Sequence, residues 1–118
     1  MKADTETKPL LSAYIITKNE SGRIERAIES VRWMDEVVVL DSGSSDDTIE
    51  KAERLGARTA YREFTGFVEQ KNAAMALCGG TWLFNLDADE EVTPGLRSSI
   101  ETAVAADHGG DSPAAYMV

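Results

Sequence analysis

The sequence predicts an α/β domain whose mostly parallel sheet is flanked by helices. Short apolar runs alternate along the chain with longer segments that carry apolar residues at helical spacing. Polar clusters follow directly after several of the short runs, as expected for loops at strand ends. Strands that alternate with helices favour parallel pairing with right-handed crossovers. The length of 118 residues suffices for one such domain or for a piece of one.

Short apolar runs give the predicted strands, which are Leu11 to Thr17, Glu36 to Asp41, Ala57 to Tyr61 and Thr81 to Leu86. The second run, Glu-Val-Val-Val-Leu-Asp, is continuous and rich in β-branched residues. Such a run is typical of a parallel strand that is buried on both faces. It therefore supports a sheet that lies between layers of helices.

The intervening segments carry apolar stripes with the period of an α-helix. The stripes are Ile24, Ala27, Ile28 and Val31, then Ile49, Ala52 and Leu55, and finally Leu96, Ile100, Ala103 and Val104. Gly56 is expected to end the second helix, and Thr93-Pro94 to begin the fourth. A third helix is predicted over Phe67 to Cys78, before a glycine pair.

The two ends of the chain contain polar segments that are predicted to lie outside the regular alternation of strands and helices. Residues 1–10 form a predicted polar tail, and residues 11–118 form the folded part. The polar stretch Asp107 to Pro113 is a predicted linker, after which a further strand begins at Ala114. Because a domain rarely ends by opening a strand, we expect a truncated piece of a longer protein. An uncovered sheet edge and apolar helix faces would then favour homo-oligomers, dimers or larger.

Composition excludes several classes of partner. With 21 acidic and 12 basic residues the formal charge is −9, which argues against nucleic acids and anionic membranes as partners. No stretch approaches the ~18 apolar residues of a transmembrane helix. The single cysteine, Cys78, fits a reducing compartment and is predicted to pack at a helix end. The only histidine, His108, is predicted to lie in a solvated loop.

Polar residues cluster after the first, second and fourth predicted strands. The clusters are Thr17-Lys-Asn-Glu20, Asp41-Ser-Gly-Ser-Ser-Asp-Asp47 and Asn85-Leu-Asp-Ala-Asp-Glu-Glu91. In an open parallel sheet, ligands bind outside the carboxyl ends of the strands, where the strand order reverses. If the first and fourth strands are neighbours, these clusters flank one crevice.

Each cluster has a functional and a structural interpretation. Asp87 and Asp89 could both turn toward one Mg²⁺ or Mn²⁺ ion, or they could form a solvated acidic turn before a helix. Asp41 is expected to accept hydrogen bonds from an N–H donor such as a pyrimidine edge, while the following Ser/Asp run caps a helix. Lys71 could contact a phosphate, although alone it reads as a surface lysine.

Taken together, these segments resemble family 2 glycosyltransferases of the GT-A, Rossmann-like fold. The resemblance runs from about Leu11 to Val104 and rests on the order and spacing of Thr-x-Asn-Glu, Asp-Ser-Gly-Ser-x-Asp-x-Thr and Asp-x-Asp. The form of these motifs is similar to that of bacterial lipopolysaccharide-core glucosyltransferases. Ile16, Lys18 and Ser42 depart from the commoner family pattern, in which a proline, an aromatic residue and an aspartate are found.

The resemblance implies metal-dependent binding of a nucleotide-diphosphate sugar, most often a UDP-sugar, by the donor half of an inverting enzyme. By this likeness the nucleotide-sugar would be held by Thr17, Asn19, Glu20, Asp41, Ser42, Lys71 and Asp87. Asp87 and Asp89 would hold Mn²⁺ or Mg²⁺. The acceptor would be a saccharide, a lipopolysaccharide-type molecule or another lipid-linked acceptor. The expected location is the cytoplasm, with the full-length protein peripheral to the inner membrane.

The same resemblance places the catalytic base beyond Val118, so neither Glu90 nor Glu91 is assigned that role. These 118 residues alone are therefore expected to be inactive. A different class of function remains open, in which the chain is a nucleotide-binding or interaction module that never catalyses.

Overall fold

The computed structural model describes residues 10–106 and the backbone of residues 114–117. The strands are β1 (Leu11–Thr17), β2 (Glu36–Asp41), β3 (Arg58–Tyr61), β4 (Trp82–Asn85) and β5 (Ala114–Met117). The helices are α1 (Ile24–Glu29), α2 (Thr48–Arg54), α3 (Phe67–Leu77) and α4 (Pro94–Ala106). Strands and helices alternate as predicted, and the strand predicted after Ala114 is present.

All strands pair in parallel, in the order β3-β2-β1-β4-β5. β1 therefore lies between β2 and β4, with Thr17 beside Asp41 and Tyr14 beside Asn85. The first and fourth strands are therefore neighbours, which is the condition under which the sequence places the polar clusters around one crevice. The chain first builds outward from β1 through β2 to β3 and then continues on the other side with β4, so the strand order reverses at β1. A crevice opens at such a reversal, at the carboxyl ends of the strands.

The sheet has an apolar core on each face. Successive residues of β1 face opposite sides, so Ala13 and Ile15 pack with α1, α2 and α4, while Tyr14 packs with α3. Val38 of β2 and Ala74 of α3 complete the centre of the second, smaller cluster. Helix α3 thus covers part of the face that the other described helices leave open.

Element ends differ from the sequence prediction by one or two residues. Val31 is buried as predicted, but α1 ends before it, because its N–H bonds to the Ile28 oxygen at 3.0 Å in a tighter turn. Cys78 lies outside α3 with an extended backbone. Ala57 and Leu86 flank strands rather than extend them, and each donates its N–H to a backbone oxygen, that of Ala52 and Tyr14 respectively.

Some sequence predictions fall on residues outside the described ranges. These are the polar tail over residues 1–9, the linker from Asp107 to Pro113, and the position of His108. Within the described ranges, none of the helices combines the length and apolar character needed to cross a membrane.

Candidate active site

A cleft of about 530 Å³ opens at the carboxyl edge of the sheet. The loops after β1, β2 and β4 form one side of it, and the start of α3 with the segment before it forms the other. The polar clusters that follow the first, second and fourth strands are thereby brought together, as the sequence predicts. The predicted site residues that line this cleft are Thr17, Glu20, Ser42, Lys71, Asp87 and Asp89.

Thr17 ends β1 at the cleft. It is only 7% exposed, and its Oγ1 has no hydrogen-bond partner among the described residues. The Asn85 amide at the end of β4 is also buried and without a partner in that part of the chain. Because an unpaired buried polar group is unfavourable, the Thr17 hydroxyl is a donor and acceptor available to a bound molecule.

Asn19 does not line the cleft but ties the loop after β1 to the loop after β2. Its N–H donates to Ser44 Oγ at 2.7 Å, and its side-chain oxygen accepts from the Ser45 N–H at 2.8 Å. The Asn19 φ of 55° is left-handed, a conformation that asparagine tolerates better than most residues. Asn19 therefore holds the shape of the site.

Glu20 lies in the loop between β1 and α1 and lines the cleft. Its N–H donates to Thr48 Oγ1 at 2.9 Å, and its carbonyl accepts from the Ile24 N–H at 2.8 Å. The Glu20 carboxylate pairs with the exposed Arg23 guanidinium at 3.2 Å. The backbone of Glu20 is thus fixed, while its side chain remains in an exposed ion pair that a ligand could displace.

Asp41 is fully buried and lies outside the lining of the cleft. Its Oδ2 accepts from the Gly43 and Ser44 N–H groups at 2.8 and 2.7 Å, and its Oδ1 accepts from the Ser44 hydroxyl. Gly43 has a φ of 122°, which glycine adopts readily and which lets the loop fold back onto the carboxylate. The carboxylate thus organises its own loop, and the contact with a base that the sequence suggested remains a prediction.

An aspartate of the Ser/Asp run bonds to the first residue of α2, as the sequence predicts, and this aspartate is Asp46 rather than the N-cap residue Asp47. Asp47 occupies the N-cap position but makes no side-chain cap hydrogen bond, and it accepts instead from the Ser21 hydroxyl. Asp46 accepts from the Thr48 N–H at 3.0 Å and from the Thr48 hydroxyl. The hydrogen bond from the Thr48 side chain lowers the pKa of Asp46.

The turn after β4 presents Asp87 and Asp89 to the cleft with buried Ala88 between them. Glu90 closes this turn, since its carboxylate accepts from the Asp87 N–H at 3.0 Å and its N–H donates to the Asp87 oxygen at 2.9 Å. Glu91 forms an exposed ion pair with Arg26 at 3.5 Å. Glu90 and Glu91 therefore support the turn and do not line the cleft.

The donor set at this turn fits a hard divalent ion only in part. Within the described ranges, no group of three or more His, Cys, Asp and Glu side chains is arranged to hold a metal. Asp87 and Asp89 supply carboxylate oxygens, which Mg²⁺ and Mn²⁺ prefer. Because Mg²⁺ is usually bound through one or two carboxylates together with substrate phosphates and waters, this pair suffices if a diphosphate completes the shell.

The cleft is nearly balanced in charge, although the chain as a whole is strongly acidic. Lys18 and Lys71 line it together with Glu20, Asp87 and Asp89. Lys71 lies in the first turns of α3, whose start is fixed by neighbouring Gln70. Lys71 thus lines the same cleft as the acidic turn and makes no ion pair with the described carboxylates, so it can meet an anion there.

Sequence reasoning missed an aromatic pair at the mouth of the cleft. Phe64 and Phe67 line it with ring centroids 5.0 Å apart and planes at 77°, an edge-to-face arrangement. The sequence Phe-Thr-Gly-Phe shows two large apolar residues near a predicted helix start, but it does not show that they are exposed. Cys78 lies outside the cleft, and burial raises the pKa of its thiol to about 11, which does not suit a nucleophile.

Sequence comparison places this arrangement among known proteins. Residues 12–112 match the family model described as glycosyl transferase family 2. The chain is 48% identical over 109 residues to an uncharacterized glycosyltransferase from Rickettsia conorii, covering 92% of this chain and 38% of that protein. It is 36% identical to the lipopolysaccharide core biosynthesis glycosyltransferase LpsC from Rhizobium meliloti, covering 81% of this chain and 37% of LpsC. The chain thus spans well under half the length of these relatives.

Solved structures agree with this placement. Glucosyl-3-phosphoglycerate synthase from Mycobacterium tuberculosis, crystallised with Mn²⁺, UDP and glucosyl-3-phosphoglycerate, superposes with a TM-score of 0.69 at 25% identity, over 92% of this chain and 43% of that one. Staphylococcus aureus TarS shares the fold with a TM-score of 0.71 at 22% identity, over 84% of this chain and 33% of TarS. With the family match over most of its length, the chain belongs to glycosyl transferase family 2.

Proposed function

We propose that this chain is the donor-binding part of an inverting glycosyltransferase that binds a UDP-sugar together with Mn²⁺ or Mg²⁺. The observation that carries the proposal is the single cleft that collects Thr17, Lys71, Asp87 and Asp89 at the carboxyl edge of the sheet. A nucleoside diphosphate needs a polar pocket for the nucleoside and a positive counter-charge for the phosphates. The cleft offers the first directly and the second through Lys71 and a bound cation.

The donor contacts follow from the positions of the side chains. Thr17 offers a buried hydroxyl without a hydrogen-bond partner in the described part of the chain, and Ser42 lies beside it, directly after β2. Lys71 would contact the diphosphate, since it lines the cleft from α3, across from the loops that follow the strands. Asn19 and Asp41 would act indirectly, by holding the loops after β1 and β2 in place. Glu20 would contact the donor through its carboxylate, since it lines the cleft.

Asp87 and Asp89 would hold the cation. Two exposed carboxylates in one cleft repel a diphosphate unless a positive ion lies between the carboxylates and the phosphates. When bound, the divalent ion supplies Lewis-acid stabilisation of the leaving diphosphate. Crystals of the mycobacterial relative with Mn²⁺ and UDP support this assignment.

The acceptor is proposed to be a saccharide, of lipopolysaccharide type, and LpsC is the relative that supports this class. A carboxylate elsewhere in the longer protein would remove the proton from the acceptor hydroxyl, because Glu90 and Glu91 are engaged in holding the turn after β4. The proposed location is the cytoplasm, and the free thiol of Cys78 fits that reducing compartment.

Thermal unfolding tests the proposal. The chain is melted with Mn²⁺ alone, with UDP alone and with both, beside the variants Asp89→Asn and Glu101→Gln. Glu101 is a matched acidic control, because it is exposed on α4 and pairs only with Arg97 in the described contacts. At a ligand concentration about 100 times the dissociation constant, binding adds about 2.7 kcal/mol to the stability. For a domain near this size, that raises the melting temperature by roughly 10 °C.

We expect the combined shift in the parent and in Glu101→Gln to exceed the sum of the separate shifts. Asp89→Asn should lose this excess while it keeps its melting temperature without ligand. Equal shifts in all three proteins, or UDP binding that survives a chelator unchanged, would contradict the metal-linked site.

A further inference from the structure

Phe64 and Phe67 are large apolar side chains that are exposed at the cleft and do not pack in the core. Their exposed fractions are 45% and 68%, and both rings line the cleft. Neither ring belongs to the apolar clusters on the two faces of the sheet. Large exposed apolar groups at a cleft indicate a binding surface, because they gain free energy only when something covers them.

Hydrogen bonds fix the backbone that carries the aromatic pair. Gln70, only 1% exposed, donates its side-chain N–H to the Arg62 carbonyl at 3.2 Å and accepts from the Arg62 guanidinium at 3.2 Å. These bonds join the first turn of α3 to the segment that leaves β3. Gly66, with a φ of 151°, provides the sharp change of direction between the two rings. The backbone at both rings is therefore fixed without a ligand, and a fixed backbone lowers the entropy cost of binding.

The strand order separates the two ends of the cleft. The acidic turn follows β4, whereas the aromatic pair lies in the connection from β3 and at the start of α3. With neighbouring strands ~4.8 Å apart, the ends of β3 and β4 are separated by roughly 14 Å. Lys71 lies one helical turn after Phe67 on α3, so a diphosphate between Lys71 and the two aspartates leaves the rest of its ligand to extend past Phe67 toward Phe64. A nucleoside diphosphate has this form, with a planar base at the end opposite the phosphates.

Asp41 is not in contact with the cleft, so a base bound there must be recognised by other side chains. The Asp41 carboxylate is buried and accepts from its own loop, so no acidic side chain from β2 reaches this end of the cleft. A planar base can instead stack on an aromatic ring, an interaction that every base can make. Ser42 and Lys18 lie along the same walls and offer polar contacts to its edges.

We propose that Phe64 and Phe67 form the stacking surface for the nucleobase of the donor. This inference rests on the proposed function and adds the residues that take the base. The edge-to-face geometry leaves one ring face open beside the edge of the other, so a base stacks on one ring while it contacts the other.

The test uses the whole 118-residue chain and a double variant, Phe64→Leu with Phe67→Leu, which keeps apolar volume but removes the flat rings. Tyr61→Leu is the matched control, because Tyr61 is an exposed aromatic side chain (66%) that does not line the cleft. Calorimetry measures two probes. Uridine 5′-monophosphate carries a base, and inorganic pyrophosphate with Mn²⁺ carries none. Since stacking contributes about 1–3 kcal/mol per base, the double variant should bind the monophosphate about 5- to 150-fold more weakly.

Pyrophosphate binding should be unchanged in the double variant, and Tyr61→Leu should match the parent for both probes. The uracil proton resonances should shift upfield on binding to the parent and much less on binding to the double variant. Unchanged monophosphate affinity in the double variant, with metal-linked UDP binding intact, would overturn the stacking role alone. An equal loss of pyrophosphate would assign the rings a structural role and also overturn it. If the parent binds neither probe, the proposed function fails with the inference.

Discussion

Removing the Asp41 carboxylate should destabilise the fold rather than act on ligand binding first. The carboxylate accepts two backbone N–H groups and one hydroxyl, and its side chain is fully buried. Hydrogen bonds to a charged group contribute about 1.5–3 kcal/mol each, but they are not additive, and the desolvation of the carboxylate opposes them. The loop can also rebind water. We therefore expect Asp41→Ala to lower the free energy of unfolding by about 2–3 kcal/mol.

Asp41→Asn is the informative companion variant. An asparagine oxygen can still accept from the Gly43 and Ser44 N–H groups, and its amide can donate to the Ser44 hydroxyl. We expect it to recover about half of the lost stability or more. Urea unfolding measures both variants, with the slope of the transition compared to confirm that the unfolded states are similar. A wild-type stability for Asp41→Ala, with a specific loss of UDP binding, would refute this account and return Asp41 to direct contact with the base.

Other substitutions test the packing and the charges. Gly80→Ala should lower the free energy of unfolding by more than about 2 kcal/mol, because the new Cβ would lie 2.9 Å from the Leu10 oxygen. Gly95→Ala in α4 meets open space and should raise the free energy of unfolding by roughly 0.5–1 kcal/mol. Chemical unfolding compares the two variants. Asn85→Leu should be neutral or stabilising in the same assay, since it removes a buried amide without a partner in the described part of the chain. The lowered pKa of Asp46 gives stability that is present above its ordinary pKa and is lost as the pH falls below about 4, so Asp46→Asn should flatten the acid limb of a stability profile. The raised pKa of Cys78 predicts slow alkylation at pH 7.5 in the native chain and fast alkylation in urea, followed by mass spectrometry.

The order of elements could be predicted because the strong local signals agree with one another. The β-branched run in β2 favours a strand, and the apolar spacing that includes Ile24 and Ile28 favours a helix. Ile24 and Ile28 are buried, as that spacing predicts. The place of β4 beside β1 came from a general property of open parallel sheets, and the register pairs confirm it. Ends were less certain, as Val31 shows, because a tight turn can follow a helix without interrupting its apolar stripe.

The site was predictable in its location but not in the role of each side chain. The sequence around Asp41 is compatible with a carboxylate that faces a ligand and with one that faces its own loop. Only the hydrogen bonds from the Gly43 and Ser44 N–H groups distinguish these two roles. Asn19 likewise binds the neighbouring loop instead of lining the cleft. Phe64 was overlooked because a hydrophobic residue is first assigned to a core, and exposure is a property of the folded chain.

The most direct measurement of the central claim is a crystal structure of the chain with UDP and Mn²⁺, in which the manganese is located by its anomalous scattering. The account predicts one manganese peak within coordinating distance of the Asp87 or Asp89 carboxylate and of the diphosphate, in the cleft at the carboxyl edge of the sheet. The uracil ring should lie toward Phe64 and Phe67. A diphosphate bound outside this cleft, or a manganese ion with no contact to either aspartate while UDP is bound, would contradict it.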